Sequence, residues 1–148
     1  MNAKRIAALA AAGSFAFAGP VLAQSEYPLV PGEYADMAMI TVDDGHSLDY
    51  ARFLAADWRK QQDFAKAQGW ITGYEILGNV DKRAGEPDIY LITYYKSMPD
   101  AAEQAKRDDA FRKFMATTDT KMQQESGQRA TYRHVMGSIL LQKLEWAK

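Results

Sequence analysis

The chain has only two histidines, and both stand where it changes direction. His46 follows Asp43-Asp44-Gly45, at the turn between a strand and a helix. A helix N-terminus disfavours the imidazolium form, which would leave His46 as a neutral base or ligand. The plainer alternative is a turn histidine bonded to backbone. His134, in Tyr132-Arg133-His134, precedes the last strand. There it could act as a general base at a cavity mouth, with Arg133 or a tyrosine steadying a developing oxyanion. A surface or packing histidine is its plainer reading.

Other chemistries find no support. The chain has no cysteine and no HExxH or HxH spacing, so no metal site is expected. Asp43-Asp44-Gly45 lacks the spaced acids and closing glutamate of a calcium loop and reads as a turn. No GxSxG elbow, P-loop or GxGxxG occurs. Ser138 has no base beside it in sequence. No cofactor is expected; a single axial histidine to haem stays open without a motif behind it.

The aromatic residues are more informative. Tyr74, Tyr90, Tyr94 and Tyr95 fall on the second and third strands, with Tyr90 and Tyr94 on the face opposite Tyr95. An apolar cavity carrying a few hydroxyls suits a flat hydrophobic ligand. The candidate ligand contacts are therefore Tyr74, Tyr94 and Tyr95, with Met37 and Met39 of the first strand. Ordinary sheet packing is the competing account. Trp58, on the sheet side of a helix, reads as core.

Six elements must position these groups. Tyr34 to Val42 alternates, with Ala38, Ile40 and Val42 on one side and Met37, Met39 and Thr41 on the other. Both sides are largely apolar, as in a strand covered on two faces. Ser47 is a suitable N-cap for a helix to about Gln68, whose apolar arc holds Ala51, Leu54, Ala55, Trp58 and Ala65. Gly69 is a good residue for ending it. Thr72 to Leu77 reads as a strand, Gly78 to Pro87 as a hairpin loop, and Asp88 to Lys96 as the clearest strand. Ser97-Met98-Pro99-Asp100 starts a helix running to about Gln124, with an interruption near Asp108-Asp109. A further helical turn before Gly137 and a strand from Ser138 to Trp146 complete the pass.

The order strand, helix, strand, strand, helix, strand is the split βαβ pattern of a ferredoxin-like α+β sandwich, one four-stranded antiparallel sheet with helices on one face. The other face cannot be polar, because the strands are apolar on both sides, so something must cover it. A second copy is the economical cover, giving a homodimer through the sheet face with a barrel-like interior.

The N-terminus reads as a cleavable export signal over residues 1–23. Lys4 and Arg5 lead an apolar stretch from Ile6 to Phe17, Gly19-Pro20 breaks it, and Val21-Leu22-Ala23 offers the cut. The stretch is too short to span a bilayer, and no later one is long enough. Residues 24–33 then form a flexible lead-in and 34–148 the domain, within a released chain of 125 residues from Gln24 to Lys148. That chain carries 16 basic and 19 acidic residues, a mild negative excess that gives nucleic acid no basic footprint. No membrane anchor is expected, and the destination is the periplasm or the outside. Without cysteine an exported domain has no disulfides and must rest on its own core or a shared one.

Over Tyr34 to Trp146 the topology resembles the dimeric α+β barrel superfamily, which includes EthD-like proteins, antibiotic-biosynthesis monooxygenases, haem-degrading monooxygenases and NIPSNAP-like proteins. Trp58, the passage Gly69 to Leu77 (GWITGYEIL) and the aromatic third strand carry the likeness. With DDGH and YRH, GWITGYEIL also resembles a group of short exported bacterial proteins. Cofactor-free and haem-degrading relatives use an Asn, Trp and His trio, but no motif here matches it. One such fold hosts many activities. Three functions follow as expectations: an exported barrel binding a small apolar or aromatic molecule, a cofactor-independent oxygenase, lyase or isomerase using a barrel histidine, or a structural dimer with a filled core.

Overall fold

The computed structural model describes residues 26–147. The export segment and the cut before Gln24 lie outside the described residues. Strand β1 spans Leu29–Val42, α1 Ser47–Phe53, α2 Arg59–Ala67, β2 Gly73–Gly78, β3 Ile89–Tyr95, α3 Ala101–Met115, α4 Asp119–Arg129 and β4 Arg133–Trp146. Between α1 and α2, Leu54–Trp58 forms a π-helical turn without breaking the rod.

The four strands lie in the order β2-β3-β1-β4, every neighbouring pair antiparallel. This is the ferredoxin-like α+β arrangement expected from the element order. Cross-strand partners share a face, so the register sorts the side chains. Ala38 opposes Leu91 and Ile40 opposes Ile89, and all four pack towards the helices. Met37 opposes Ile92 and Met39 opposes Tyr90, and these occupy the other face.

The core lies between the first sheet face and α1 with its π turn. Ile40, Tyr50, Leu54 and Trp58 are its buried centre, ringed by Val42, Phe53, Tyr74 and Tyr132 among others. Tyr50, Leu54 and Trp58 recur every four residues, the spacing of one helix face. The apolar arc therefore runs through Tyr50, whereas Ala51 and Ala55, expected on it, are exposed. Burial of Tyr50 holds its phenol above the ordinary range, an effect the nearby Arg133 and Arg129 partly offset.

Several boundaries differ from expectation. Position 46, not Ser47, precedes the first helix, and no side chain caps it. The α2 end is as expected: Gly69 has φ +71°, Trp70 N–H donates to Ala65 O and Gly69 N–H to Lys66 O, both at 3.0 Å. Those two bonds form a Schellman cap. The break in the second helical stretch falls at Ala116 rather than at Asp108-Asp109. Ala116 takes the left-handed conformation, Thr117 N–H reaches Arg112 O, and Thr118 caps the next helix by accepting from Lys121 N–H. Asp108-Asp109 stays helical because Asp100 caps α3 and Arg112 pairs with Asp109.

β1 starts at Leu29, earlier than the alternation from Tyr34, because the end of β4 pairs with it: Leu29 opposes Trp146 and Pro31 opposes Leu144. β4 itself starts at Arg133, where a helical turn was expected, since Val42 is there to pair with.

Candidate functional site

The face of the sheet away from the helices carries the candidate site. Its side chains are Met37 and Met39 from β1, Leu77 from β2, Tyr90, Ile92 and Tyr94 from β3, and Ile139 and Leu141 from β4. Leu77, Ile139 and Leu141 are 46%, 44% and 46% exposed. The methionines and the two tyrosines are half-buried, and only Ile92, between Met37 and Glu75, is fully buried there. No helix among the described residues lies over this face; the helices all pack on the Ile40 side or against one another.

A one-residue bulge decides what stands at one end of the face. Met39 opposes Gly137, but Ile40 opposes Val135, so Met136 is extra. Such an insertion flips every following side chain to the other face. It moves His134 opposite Thr41, onto the open face, and Arg133 opposite Val42, onto the helix face. Gly137 adopts φ +149° at this bulge, a conformation that residues with a side chain rarely take.

His134 Nε2 lies 2.9 Å from Asp43 Oδ1. Asp43 is itself fixed, its N–H donating to Tyr132 O at 2.9 Å. A carboxylate so held orients an imidazole and selects which nitrogen carries the proton. His46 sits close by in the chain but faces elsewhere: its ring stacks on Tyr132 at 5.1 Å, and Nδ1 lies 3.2 Å from Asp49. The structure thus pairs each histidine with its own aspartate and does not bring them to one centre. Among the described residues no group of three His, Cys, Asp or Glu is placed to hold a metal ion, and no helix is long and apolar enough to cross a membrane.

The candidate tyrosines divide. Tyr94 is on the open face with Met37 and Met39, and its hydroxyl donates to Glu75, a bond that holds the phenol above its ordinary range. Tyr74 is on the helix face, edge-on to Trp58 at 5.3 Å and bonded to Asp63. Tyr95 is also on the helix face and is raised by burial first and by Asp36 second. It lines a cleft of about 520 Å³ between α2 and α3, with Trp70, Ile71, Met98 and Arg107. Nothing in the local spacing marks this cleft in advance, since its walls come from separate elements that meet only in the fold.

No protein-family model matches the chain, and no curated protein matches it. Among solved structures it is similar to the crystal structure of a dimeric ferredoxin-like protein from an uncultured marine organism. That likeness is 12% identical, covers 80% of this chain and 99% of that one, and has a TM-score of 0.38.

Proposed function

We propose that this chain is exported and works as a homodimer, its two open sheet faces closing on each other around a chamber for a small apolar or aromatic molecule. The uncovered apolar face carries the reading. Four strands at about 4.8 Å spacing, paired over some seven residues of about 3.4 Å, give a footprint near 450 Å² per protomer. That matches the largest apolar patch of a typical monomer, which is often functional. Two such faces supply roughly 900 Å², just below the roughly 1,000 Å² of a stable specific interface and in the range of weaker ones. A fourteen-residue edge strand so apolar invites pairing unless covered.

Side chains of uneven length on the two faces support a chamber rather than a flat seam. Met37, Met39 and Tyr94 surround Ile92 with flexible thioethers and a phenol bonded to Glu75. Such a lining accepts a flat apolar body and one polar edge. Export rests on the charged start, short apolar run and Ala23 cut of the N-terminus.

One observation favours a second reading, a cofactor-independent oxygenase, lyase or isomerase. The His134–Asp43 pair has the geometry of an oriented general base and stands on the open face. Arg133, on the helix face, would then have no part; the open-face phenol nearer to His134 in register is Tyr90, opposite Met39, whereas Tyr94 lies opposite Ala35.

Sedimentation equilibrium of residues 24–148 tests the assembly. Twice the chain mass at micromolar concentration is expected, and a monomer throughout would overturn it. For export, N-terminal sequencing of cell-envelope or culture-fluid material is expected to begin at Gln24. Retention of Met1 would refute it.

A further inference from the structure

A second site lies on the helix side, and it does not depend on dimerisation. No residue of α2, α3 or α4 is fully buried. The α3–α4 pair is braced against α1–α2 by ring contacts at a few points. Phe64 and Phe114 stack at 4.0 Å and 8°. The Arg129 guanidinium lies 4.1 Å over Phe53, and that of Arg107 5.7 Å over Trp70. Between these braces are two chambers, of about 520 and 300 Å³, which adjoin across Gln61 and Phe111.

The chambers differ in chemistry. In the larger one, each charge near the wall is already engaged. Asp100 caps α3 through Glu103 N–H at 2.8 Å, Asp108 accepts from Gln104 at 2.7 Å, and Arg107 pairs with Glu103 at 2.9 Å. No free charge is left for a ligand, and the wall is mainly Trp70, Ile71, Met98 and Phe111, with Tyr95 and Gln62 as neutral polar neighbours. In the smaller one, Lys60, Lys121 and Arg129 face Asp57 and Glu125, a surplus of one cation. Lys121 reaches Glu125 only at 3.9 Å, and Lys60 lies over the Phe114 ring at 5.4 Å. Thr117 Oγ1 and Arg129 Nε, on the same wall, are shielded and without a hydrogen-bond partner among the described residues. Shielded polar atoms are normally satisfied, and both are donors that a small shift of this wall would offer to an acceptor.

We infer that this paired cleft binds an amphipathic monocarboxylate with a single elongated apolar tail, such as a medium-chain fatty acid. The carboxylate sits in the Lys60–Lys121–Arg129 chamber, and the tail runs past Gln61 along Phe111 into the chamber walled by Trp70. Two charges would leave one uncompensated against the single surplus cation, which selects a monoanion. The cavity sizes lie in the range of small-molecule sites.

The test is calorimetric titration of residues 24–148 with decanoate below its micellar concentration. Saturable binding of one decanoate per chain is expected. Decanol should bind at least tenfold more weakly, and so should decanoate to the Lys60→Gln/Lys121→Gln protein. Ala65→Trp, which fills the larger chamber, should also weaken binding at least tenfold, while Ile139→Glu on the sheet face should change it less than twofold. Circular dichroism checks each variant's fold, and if Ala65→Trp fails it, the lysine pair and decanol decide. Absence of saturable binding to 1 mM (on the order of the weakest small-ligand affinities), or equal binding of decanol, would overturn the inference. So would loss on Ile139→Glu with the lysine pair unaffected, which would place the ligand in the sheet chamber instead.

Discussion

Placing a carboxylate on the open face, by Ile139→Glu in the edge strand β4 beside Met37, separates the dimer from the protomer. Burying a whole isoleucine side chain contributes about 1.5–3 kcal/mol. Ile139 is 44% exposed, so about 1 kcal/mol remains to be gained when a partner covers it. A two-fold interface counts every residue twice, giving about 2 kcal/mol for the lost apolar contact. The new carboxylates must also leave water without a partner, at several kcal/mol each. The loss exceeds about 4 kcal/mol, roughly a thousandfold in dissociation constant. The free protomer should barely notice, since the position is open to water and the cost there stays within about 1 kcal/mol. Sedimentation velocity across a concentration series, with thermal unfolding of the monomer fraction, measures both. A variant that stays dimeric at the parent's concentration would refute the placement of the interface. A monomer that no longer folds would show Ile139 to belong to the protomer's own core.

Four further outcomes follow. Leu54→Ala opens the core between Tyr50 and Trp58 and should cost about 2–5 kcal/mol, measured by urea unfolding; a change below about 1 kcal/mol would place the core elsewhere. Ala116→Gly relieves a left-handed alanine and should gain about 0.5–1 kcal/mol net of glycine's entropy cost, raising the midpoint by a few degrees; a lowered midpoint would contradict the strained turn. Asp88 is held below the ordinary carboxylate range, mainly by Lys82 and also by Val42 N–H. Its contribution is thus present above the unfolded value near pH 4 and lost as pH falls through the lower folded one, and Asp88→Asn should flatten that acid limb in a stability–pH series. Tyr50 has the opposite sense: burial raises its phenol, so stability is full below about pH 10 and declines above it, a decline that Tyr50→Phe should reduce.

The order of elements was legible because each carries its own local signal. The alternation around Met37 and Ile40 and the aromatic third strand mark strands, and Gly69 marks a helix end. Features made by partners far along the chain were not. Pro31 and Gly32 look like lead-in and become strand only because Leu144 and Glu145 lie beside them. Ala116 gives no sign of a left-handed turn, a conformation glycine or asparagine usually announces. For the site, strand parity separated Tyr94 from Tyr95. It could not say which side met the helices, since both sides are apolar. The bulge at Met136 settles where His134 and Arg133 point, and its only local trace is Gly137. The helix-side cleft arises from how far α3–α4 stands off α1–α2, a distance no periodicity encodes.

Sharing of the apolar sheet faces between two chains is the property on which the chamber depends. Native mass spectrometry of the protein purified from its own host, sprayed at roughly tens of micromolar, above the micromolar end of the range for specific interfaces, reads this directly. The mass of two processed chains is expected, together with any small molecule the dimer retains. A single-chain mass under those conditions, from a protein that is folded, would contradict it.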